Sequence, residues 1–338
     1  MPRRPETLLV MNADTFRLQF LEAELARLEA VASVRDPVAV AELSSAGART
    51  RLRTAEVLIT SWGCPPLDAG TVAAAPELRA VLHAAGSVRS HVTDAVFDRG
   101  ILVTTAAGTN AEPVARYTLA AILWSLKRVP FLAAGARRGH GEAWSYTDPR
   151  RSELSGTGRT VVLVGFSRIG RRVTALLGSF PDIRVLVVDP VADPAAIAAA
   201  GAEPVPLAEA LPQADVLSLH APALPATRHM IGAAELSALP PGATLINTAR
   251  GGLIDHAALE KACLGGLQAI LDVTEPEPLP SRSPLYGLPN VVLTPHIAGS
   301  LGAETRLMTA SALTELERYV AGLPPLTSVT AESLRVQA

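Results

Sequence analysis

The 338-residue sequence is expected to fold as an α/β protein built on parallel sheets. Two observations point there. Short apolar, β-rich runs alternate with helical stretches along most of the chain, the pattern of βαβ units. The length suits about two domains of ordinary size.

Taken in order, Leu8 to Met11, Val57 to Thr60, Ala80 to Ala84 and Ile101 to Thr105 read as strands. Helix-like segments lie between them, such as Phe16 to Leu28 and Asp68 to Ala74. A second series of strands follows at Thr160 to Gly165, Arg184 to Asp189, Asp215 to His220, Thr244 to Thr248, Ala269 to Val273 and Val291 to Thr294. Arg137 to Gly158 is polar and rich in Gly, Ser and Arg, and reads as a long irregular stretch of the functional or hinge kind. The Ala-rich piece Ala192 to Ala202 reads as a helix, with Pro194 suited to its first turn.

Composition narrows the function. Hydrophobic residues make up 49% and charged residues 18%, enough to bury sizeable cores and too apolar for a disordered chain. A net charge of -2 offers no general attraction for nucleic acid or an anionic membrane. Two cysteines far apart, Cys64 and Cys263, argue against a disulfide framework and a structural metal site, and no metal is expected. The start of the chain does not read as a secretory signal. The apolar run Tyr117 to Leu126 is roughly half of what a membrane span needs. The cytoplasm is therefore the expected compartment.

The clearest local motif is VVLVGFSRIGRRV, Val161 to Val173. A buried strand runs into Gly165, then Ser167, then Gly170 at the start of a helix. This is the G-x-G-x-x-G dinucleotide fingerprint with its middle glycine replaced by serine. Gly165 would allow the tight turn, a small residue at Ser167 would let backbone approach a pyrophosphate, and Gly170 would let helix and strand pack closely. Arg168 and Ile169 lie between, and the helix N-terminus offers unpaired N–H groups to the phosphates. Asp189 ends the next strand near the spacing of roughly 20 residues expected for an acid that grips the adenosine ribose. An acid there repels a 2′-phosphate and favours NAD over NADP. The plainer reading of Asp189 is a strand-end cap for the following helix.

Three further runs, INTARGGLIDHAAL (Ile246 to Leu259), LDVTEPEPLP (Leu271 to Pro280) and NVVLTPHIAGS (Asn290 to Ser300), follow the fingerprint in order. From about Val57 to Ser300 the chain resembles the D-isomer-specific 2-hydroxyacid dehydrogenases, the family of phosphoglycerate, glycerate and D-lactate dehydrogenases. The resemblance implies two Rossmann-like domains, with the active site in the cleft between them. Residues 1–108 plus 301–338 would form the substrate domain and residues 109–300 the NAD-binding domain. It also implies a homodimer through the NAD-binding domain, with Val114 to Leu126 a plausible part of the contact, and a small 2-oxo or 2-hydroxy acid as substrate.

Hydride transfer to a 2-oxo acid needs a cation for the carboxylate and carbonyl, an acid for the developing alkoxide, and a group that keeps the acid charged. Arg250 matches the family's carboxylate-binding arginine, and its planar guanidinium suits a bidentate partner. His296, in TPHIAG, matches the acid/base. Glu277 matches the partner that would favour the charged imidazole; the family spacing of five residues after Asp272 selects it, and Glu275 is the fallback. Asp272 matches a family residue that binds the nicotinamide carboxamide, which Ala298 and Gly299 would approach by backbone; His220, Ala221 and Pro222 match the loop after the fourth strand of the NAD-binding domain, and Thr248 lies beside Arg250 on the same rim, these four also taken as cofactor-binding. Gly86 and Ser87, in HAAGSVRSH, match the loop whose N–H groups hold the carboxylate, and Trp62 and Gly63 its opposite lip.

The chain also departs from the family pattern. Arg89 stands where many relatives have an acid, Arg116 replaces a glutamate and Thr274 an aromatic. Arg89 is expected either to pair on the surface or to favour a substrate with a second anionic group. Trp144 matches a tryptophan that in some relatives reaches a neighbouring subunit, and a packing role fits it equally. The leading alternative is a non-catalytic NAD(H)-sensing regulatory protein on the same fold. A formate-type dehydrogenase is disfavoured by Glu277, and a methyltransferase by the Arg–Glu–His series.

Overall fold

The computed structural model describes residues 4–138 and 154–336. They divide into two compact units, Met1–Ala111 with Ser300–Ala338, and Glu112–Gly299.

The first unit carries β1 (Glu6–Val10), β2 (Ser33–Val40), β3 (Val57–Thr60), β4 (Ala80–His83) and β5 (Leu102–Thr105) in the order β2-β1-β3-β4-β5, all parallel. Between them run α1 (Ala13–Gln19), α2 (Glu22–Val31), α3 (Ala46–Leu52), α4 (Ala69–Ala74) and α5 (Asp94–Asp98). Alternate residues of each strand point to opposite faces. Leu8, Val10, Leu58 and Val81 join one core, and Leu9, Val57, Ile59 and Leu82 join another. Burying each of these Leu, Ile or Val side chains is worth about 1.5–3 kcal/mol.

Two features differ from the sequence reading. The β2 strand was not anticipated: it is an edge strand, Asp36-Pro37 interrupts it, and its register on β1 shifts between Thr7 and Leu9. Proline and charge are how exposed edges avoid further pairing, and they erase the apolar run that marks a central strand. The expected single helix Phe16 to Leu28 is two helices. The break falls at Phe20 and Leu21, where Glu24 accepts the Leu21 N–H at 3.1 Å and starts α2 afresh.

Next come α6 (Ala107–Leu126) and α7 (Val129–Arg138), so the first residues of the expected irregular stretch are helical. Trp144 lies outside the described residues. The second unit contains β6 (Arg159–Val164), β7 (Ile183–Val188), β8 (Glu203–Pro204), β9 (Val216–Leu219), β10 (Thr244–Asn247), β11 (Gln268–Leu271) and β12 (Val291–Leu293). Its helices are α8 (Arg168–Leu177), α9 (Pro194–Ala199), α10 (Leu207–Ala210), α11 (Ala233–Ser237) and α12 (His256–Leu264). The sheet order is β12-β11-β10-β9-β6-β7-β8, again all parallel. Both faces are covered, by a core that includes Val162, Leu217, Leu245 and Leu271 and by one that includes Val161, Val216, Ile246 and Ile270. Buried parallel strands read as unbroken apolar runs for this reason. Pro194 opens α9 behind its cap Asp193. After Gly299 the chain returns to the first unit, where α13 (Glu304–Val320) packs Ala312, Leu313 and Leu316 on β4, and α14 (Ala331–Val336) follows.

The connection order reverses between β6 and β9, which places a topological switch point there, at the carboxyl ends of the strands. No described helix is long and apolar enough to cross a membrane. Among the described residues, no group of His, Cys, Asp or Glu is arranged to hold a metal ion.

Candidate active site

The glycine turn sits at this switch point. Gly165 has φ of +103°, and a Cβ there would lie 2.6 Å from Ala221 N and 2.8 Å from His220 O. A Cβ on Gly170 would lie 2.0 Å from Gly165 O. Both positions therefore require glycine, one for conformation and contact with the β9 loop, the other for helix–strand packing. Ser167 caps α8, its Oγ accepting from Gly170 N at 3.4 Å. The serine in place of the middle glycine thus serves the helix start directly.

Three arginines, Arg168, Arg171 and Arg172, crowd the N-terminal half of α8, with no acid in its first turn. Burial lowers the Arg168 pKa, and the Arg172 charge adds to this. Cations at the positive end of a helix oppose its dipole. A bound polyanion would relieve that opposition, so the donor set suits a pyrophosphate. Asp189 follows β7. Its Oδ2 accepts from Phe166 N at 2.7 Å, and its Oδ1 accepts from Val191 N at 2.9 Å and Ala192 N at 3.0 Å. The carboxylate braces the glycine turn as well as the loop after β7. An ionised carboxylate has about four acceptor positions, so room for one more donor remains. Buried His220 has Nε2 at 3.0 Å from Ser218 Oγ; burial pushes its pKa down to about 3, so it is neutral.

The loops after β10, β11 and β12 bring Arg250, Glu277 and His296 to one rim. His296 Nδ1 lies 2.7 Å from Glu277 Oε1. Glu275 instead accepts from Arg228 Nη1 at 2.9 Å. The side chains of His296 and Glu277 are 49% and 43% exposed, so the pair is open to a ligand. His296 has φ of +54°, a left-handed conformation that costs about 1–3 kcal/mol in a non-glycine residue and has to be held by its surroundings. Asp272 does much of the holding. It is 2% exposed, and its carbonyl accepts the His296 N–H at 3.0 Å. Its Oδ1 accepts from Thr294 Oγ1 at 2.6 Å and Ile297 N at 2.8 Å, and its Oδ2 from Ala298 N at 2.8 Å. Since the Thr294 hydroxyl donates to Asp272, the Tyr117 hydroxyl 2.8 Å away donates to Thr294. Burial raises the Tyr117 pKa; the Thr294 bond opposes this and the Asp272 charge adds to it.

On the β10 loop, buried Asn247 closes a turn: its Oδ1 accepts from Ala249 N at 3.0 Å and its Nδ2 donates to Arg250 O at 2.8 Å. Arg250 keeps exposed surface although protein crowds its side chain. That desolvation lowers its pKa and the Glu277 charge opposes the shift; the guanidinium stays charged in any ordinary buffer. Thr248 is buried, its Oγ1 2.8 Å from that of Thr118. A cavity of about 620 Å³ adjoins the pair, walled by Asp272, Glu277 and His296 and by Leu279, Leu285 and Leu293.

Residues 119–298 match the sequence model of the D-isomer specific 2-hydroxyacid dehydrogenase, NAD binding domain. The chain belongs to the D-isomer-specific 2-hydroxyacid dehydrogenase family. It is 36% identical over 277 residues to the glyoxylate reductase of Korarchaeum cryptofilum, covering 80% of this chain and 82% of that protein. It is 38% identical over 239 residues to the D-3-phosphoglycerate dehydrogenase of Mycobacterium bovis; this covers 69% of this chain but only 43% of the longer relative. Among solved structures, a phosphoglycerate oxidoreductase from Rhizobium etli superposes with a TM-score of 0.81 at 26% identity, over 98% of this chain and all of that one.

In this family member the sequence candidates Trp62, Gly63, Gly86 and Ser87 lie in the first unit. Trp62, 40% exposed, and Gly63 follow β3. Gly63 has φ of +84°, and a Cβ there would lie 2.7 Å from the Asn12 Cβ. Gly86 and Ser87 follow β4, with the Gly86 carbonyl accepting from Thr105 Oγ1 and the Ser87 hydroxyl from Arg89 N at 3.4 Å. Arg89 donates to the Leu334 carbonyl of α14. Arg116 pairs with Glu112 one turn away at 3.0 Å. Thr274 donates to the Pro276 carbonyl at 2.8 Å.

Several residues that shape the site have no role in the sequence reading. Tyr117 hid in an apolar helix, and Thr294 sits two residues before His296 in the same motif. The paired glycines after Arg250 were a visible signal: a Cβ on Gly251 would lie 2.1 Å from the Thr274 carbonyl carbon and oxygen.

Proposed function

We propose that the chain interconverts a small D-2-hydroxy acid and its 2-oxo acid with NAD as cofactor. The observation that carries this reading is the 2.7 Å His296–Glu277 contact on the rim that also bears Arg250. An imidazole, a carboxylate and a guanidinium are the groups this reaction asks of a protein, and no nucleophile is needed.

With Nδ1 engaged by Glu277, Nε2 is the nitrogen left to exchange a proton with substrate. In reduction it protonates the carbonyl oxygen; in oxidation it takes the proton of the hydroxyl. Arg250 binds the carboxylate and polarises the carbonyl, Gly86 and Ser87 are assigned to the substrate carboxylate, and Trp62 and Gly63 to the opposite lip of that loop. Gly165, Ser167, Arg168, Ile169 and Gly170 would hold the pyrophosphate and Asp189 the ribose. His220, Ala221, Pro222, Thr248, Asp272, Ala298 and Gly299 would surround the remainder of the cofactor. When bound, NAD supplies the hydride acceptor, and NADH the donor.

The test is NADH absorbance across a panel of 2-oxo acids. Glyoxylate comes first, in view of the similar glyoxylate reductase, followed by hydroxypyruvate, pyruvate, phenylpyruvate and phosphonopyruvate. Oxidation of NADH with at least one member is expected. No turnover with any of them between pH 6 and 8 would overturn the proposal.

A further inference from the structure

A second cluster of ionisable groups stands behind the Arg250 and Glu277 loops, and the proposed reaction does not use it. It comprises Arg228, His229, His256 and Glu275. Backbone bonds join two of its loops: His229 N donates to Gly252 O at 2.8 Å, Ile231 N to Leu253 O at 3.0 Å, and Asp255 N to Ile231 O at 3.0 Å. The loop that carries Glu277 is tied to these by Glu275. Its Oε1 accepts from Arg228 Nη1 at 2.9 Å, its Oε2 lies 3.6 Å from His229 Nε2, and its backbone N–H donates to His256 Nε2 at 3.2 Å.

The last of these bonds sets a condition on the histidine. A ring nitrogen that accepts carries no proton, so His256 must be neutral with its proton on Nδ1. Nδ1 is buried and makes no hydrogen bond of good geometry. His256 is also the first residue of α12, behind its cap Asp255, where the helix dipole disfavours added positive charge.

We propose that His256 is a positioning residue: as a neutral acceptor it fixes the backbone of Glu275, sets Glu277 two residues on against His296, and releases that loop when it is protonated. The role in turnover rests on the proposed dehydrogenase reading.

The groups facing His256 set the sign of the pH effect. Burial lowers its pKa from the ordinary 6.5. The Ile254 backbone and the Glu275 and Glu260 charges oppose this, while His229 adds to the lowering. A histidine depressed in the folded state contributes its full effect above the unfolded value near 6.5, and that effect is lost as pH falls through the lower folded value. The loop should therefore be held at neutral pH and loosen toward acid.

The experiment compares His256→Leu, which removes the acceptor, with His256→Gln, which keeps an acceptor that does not titrate. His256→Leu should lower kcat about tenfold or more with KM within about twofold, since a small displacement of a reacting group costs one to two orders of magnitude. His256→Gln should stay within about threefold of wild type at pH 7.5 and lose the acid-side fall that His256 contributes. Long-range imidazole ¹H–¹⁵N spectra give a readout independent of turnover. Wild-type His256 should show a bare Nε2, and the His296 Nδ1 signal should move in His256→Leu but not in His256→Gln. A protonated Nε2 on wild-type His256 at pH 7.5 would overturn the proposal, as would a His256→Leu variant with unchanged kcat and unchanged His296 signal. Should His256→Leu fail to fold, the wild-type tautomer and the pH profile of His256→Gln decide it. If no 2-oxo acid is turned over, the dehydrogenase reading fails while the spectra still decide the positioning.

Discussion

Two adjacent glycines, Gly251 and Gly252, should respond very unequally to the same substitution. A Cβ on Gly251 would stand 2.1 Å from the carbonyl carbon and oxygen of Thr274 and 2.6 Å from Glu275 N. Ordinary Cβ contacts begin near 3.4 Å, so the two backbones would have to part by more than about 1 Å, and no side-chain rotation can relieve a clash between main chains. The parting falls between the loop of Arg250 and the loop of Glu277. Gly251→Ala should therefore reduce kcat/KM by about a hundredfold, the scale of a 1 Å misplacement, and cost about 1–3 kcal/mol of stability through overpacking. A Cβ on Gly252 would be tight only against the Glu275 Oε2 at 3.0 Å, with Glu275 Cδ at 3.5 Å and Arg228 Nη1 at 3.7 Å in ordinary contact, and all three are far ends of side chains that can swing away. Gly252→Ala should stay within a few-fold of wild type. The assay is steady-state NADH oxidation with the best 2-oxo acid, beside NADH fluorescence titration, since the Gly165 turn follows β6, which β9 separates from β10. The reasoning is refuted if Gly251→Ala keeps kcat/KM within about threefold, or if both variants lose activity equally.

Other perturbations test other parts. His296→Ala should lower kcat by about a hundredfold or more, the usual worth of a positioned general acid; Glu277→Gln should leave the enzyme active at a reduced kcat, and a reduction with Glu275→Gln instead would transfer the role. Asp189→Ala should relax the preference for NADH over NADPH in kcat/KM, and equal efficiency of the wild type with both cofactors would remove the basis of that assignment. In the first unit, the His83 and His91 rings are tilted against each other at 42° with centroids 4.4 Å apart, both within reach of the Thr60 hydroxyl. Burial, then the His91 charge, hold the His83 pKa well below 6.5 against the Thr60 bond, and burial lowers His91 to about 4. Both are neutral when folded, so their contribution is complete above pH 6.5 and is lost toward pH 4. The melting temperature should fall over that range, and less so in His91→Gln. Light scattering at micromolar concentration should report a dimer; Trp124, 59% exposed on α6, is a candidate contact, and a monomer would exclude it.

How much was legible in the sequence follows from what each residue is near. Six of the seven strands of the second unit could be read because buried parallel strands are apolar on both faces, as Val161 to Val164 and Val185 to Val188 are; the exposed two-residue edge strand β8 was not anticipated. The β2 strand could not, because an edge strand carrying Asp36 and Pro37 lacks that signature. The break at Phe20 and Leu21 had no glycine or proline to announce it. Arg250, Glu277 and His296 were readable as a series because each sits in a motif with a short fixed neighbourhood. The groups that orient them are distant in sequence: Tyr117 reaches Thr294, and His256 reaches Glu275. No window of local sequence contains both ends of such a bond. Spacing could rank Glu277 above Glu275, and the structure adds a physical difference between them: Glu277 lies 2.7 Å from His296, while Glu275 is held by Arg228 at 2.9 Å with His229 at 3.6 Å.

The distribution of burial at the site explains why the supporting residues matter as much as the reacting ones. His296 and Glu277 are about half exposed, so little packing fixes them directly. Even a fully charged pair this exposed would be worth about 0–1 kcal/mol, less than the cost of the positive φ that His296 adopts. The pair therefore cannot hold its own geometry. The stabilisation must come from groups out of solvent, and Asp272 is the main one, with three donors on its carboxylate and the His296 N–H on its carbonyl. With three donors already satisfying its charge, Asp272 fixes the backbone of the His296 loop and leaves the imidazole to Glu277. An acid–base group that must reach a substrate has to be exposed. Its precision then depends on buried neighbours one residue removed, and substitutions among those neighbours should show in kcat before they show in binding.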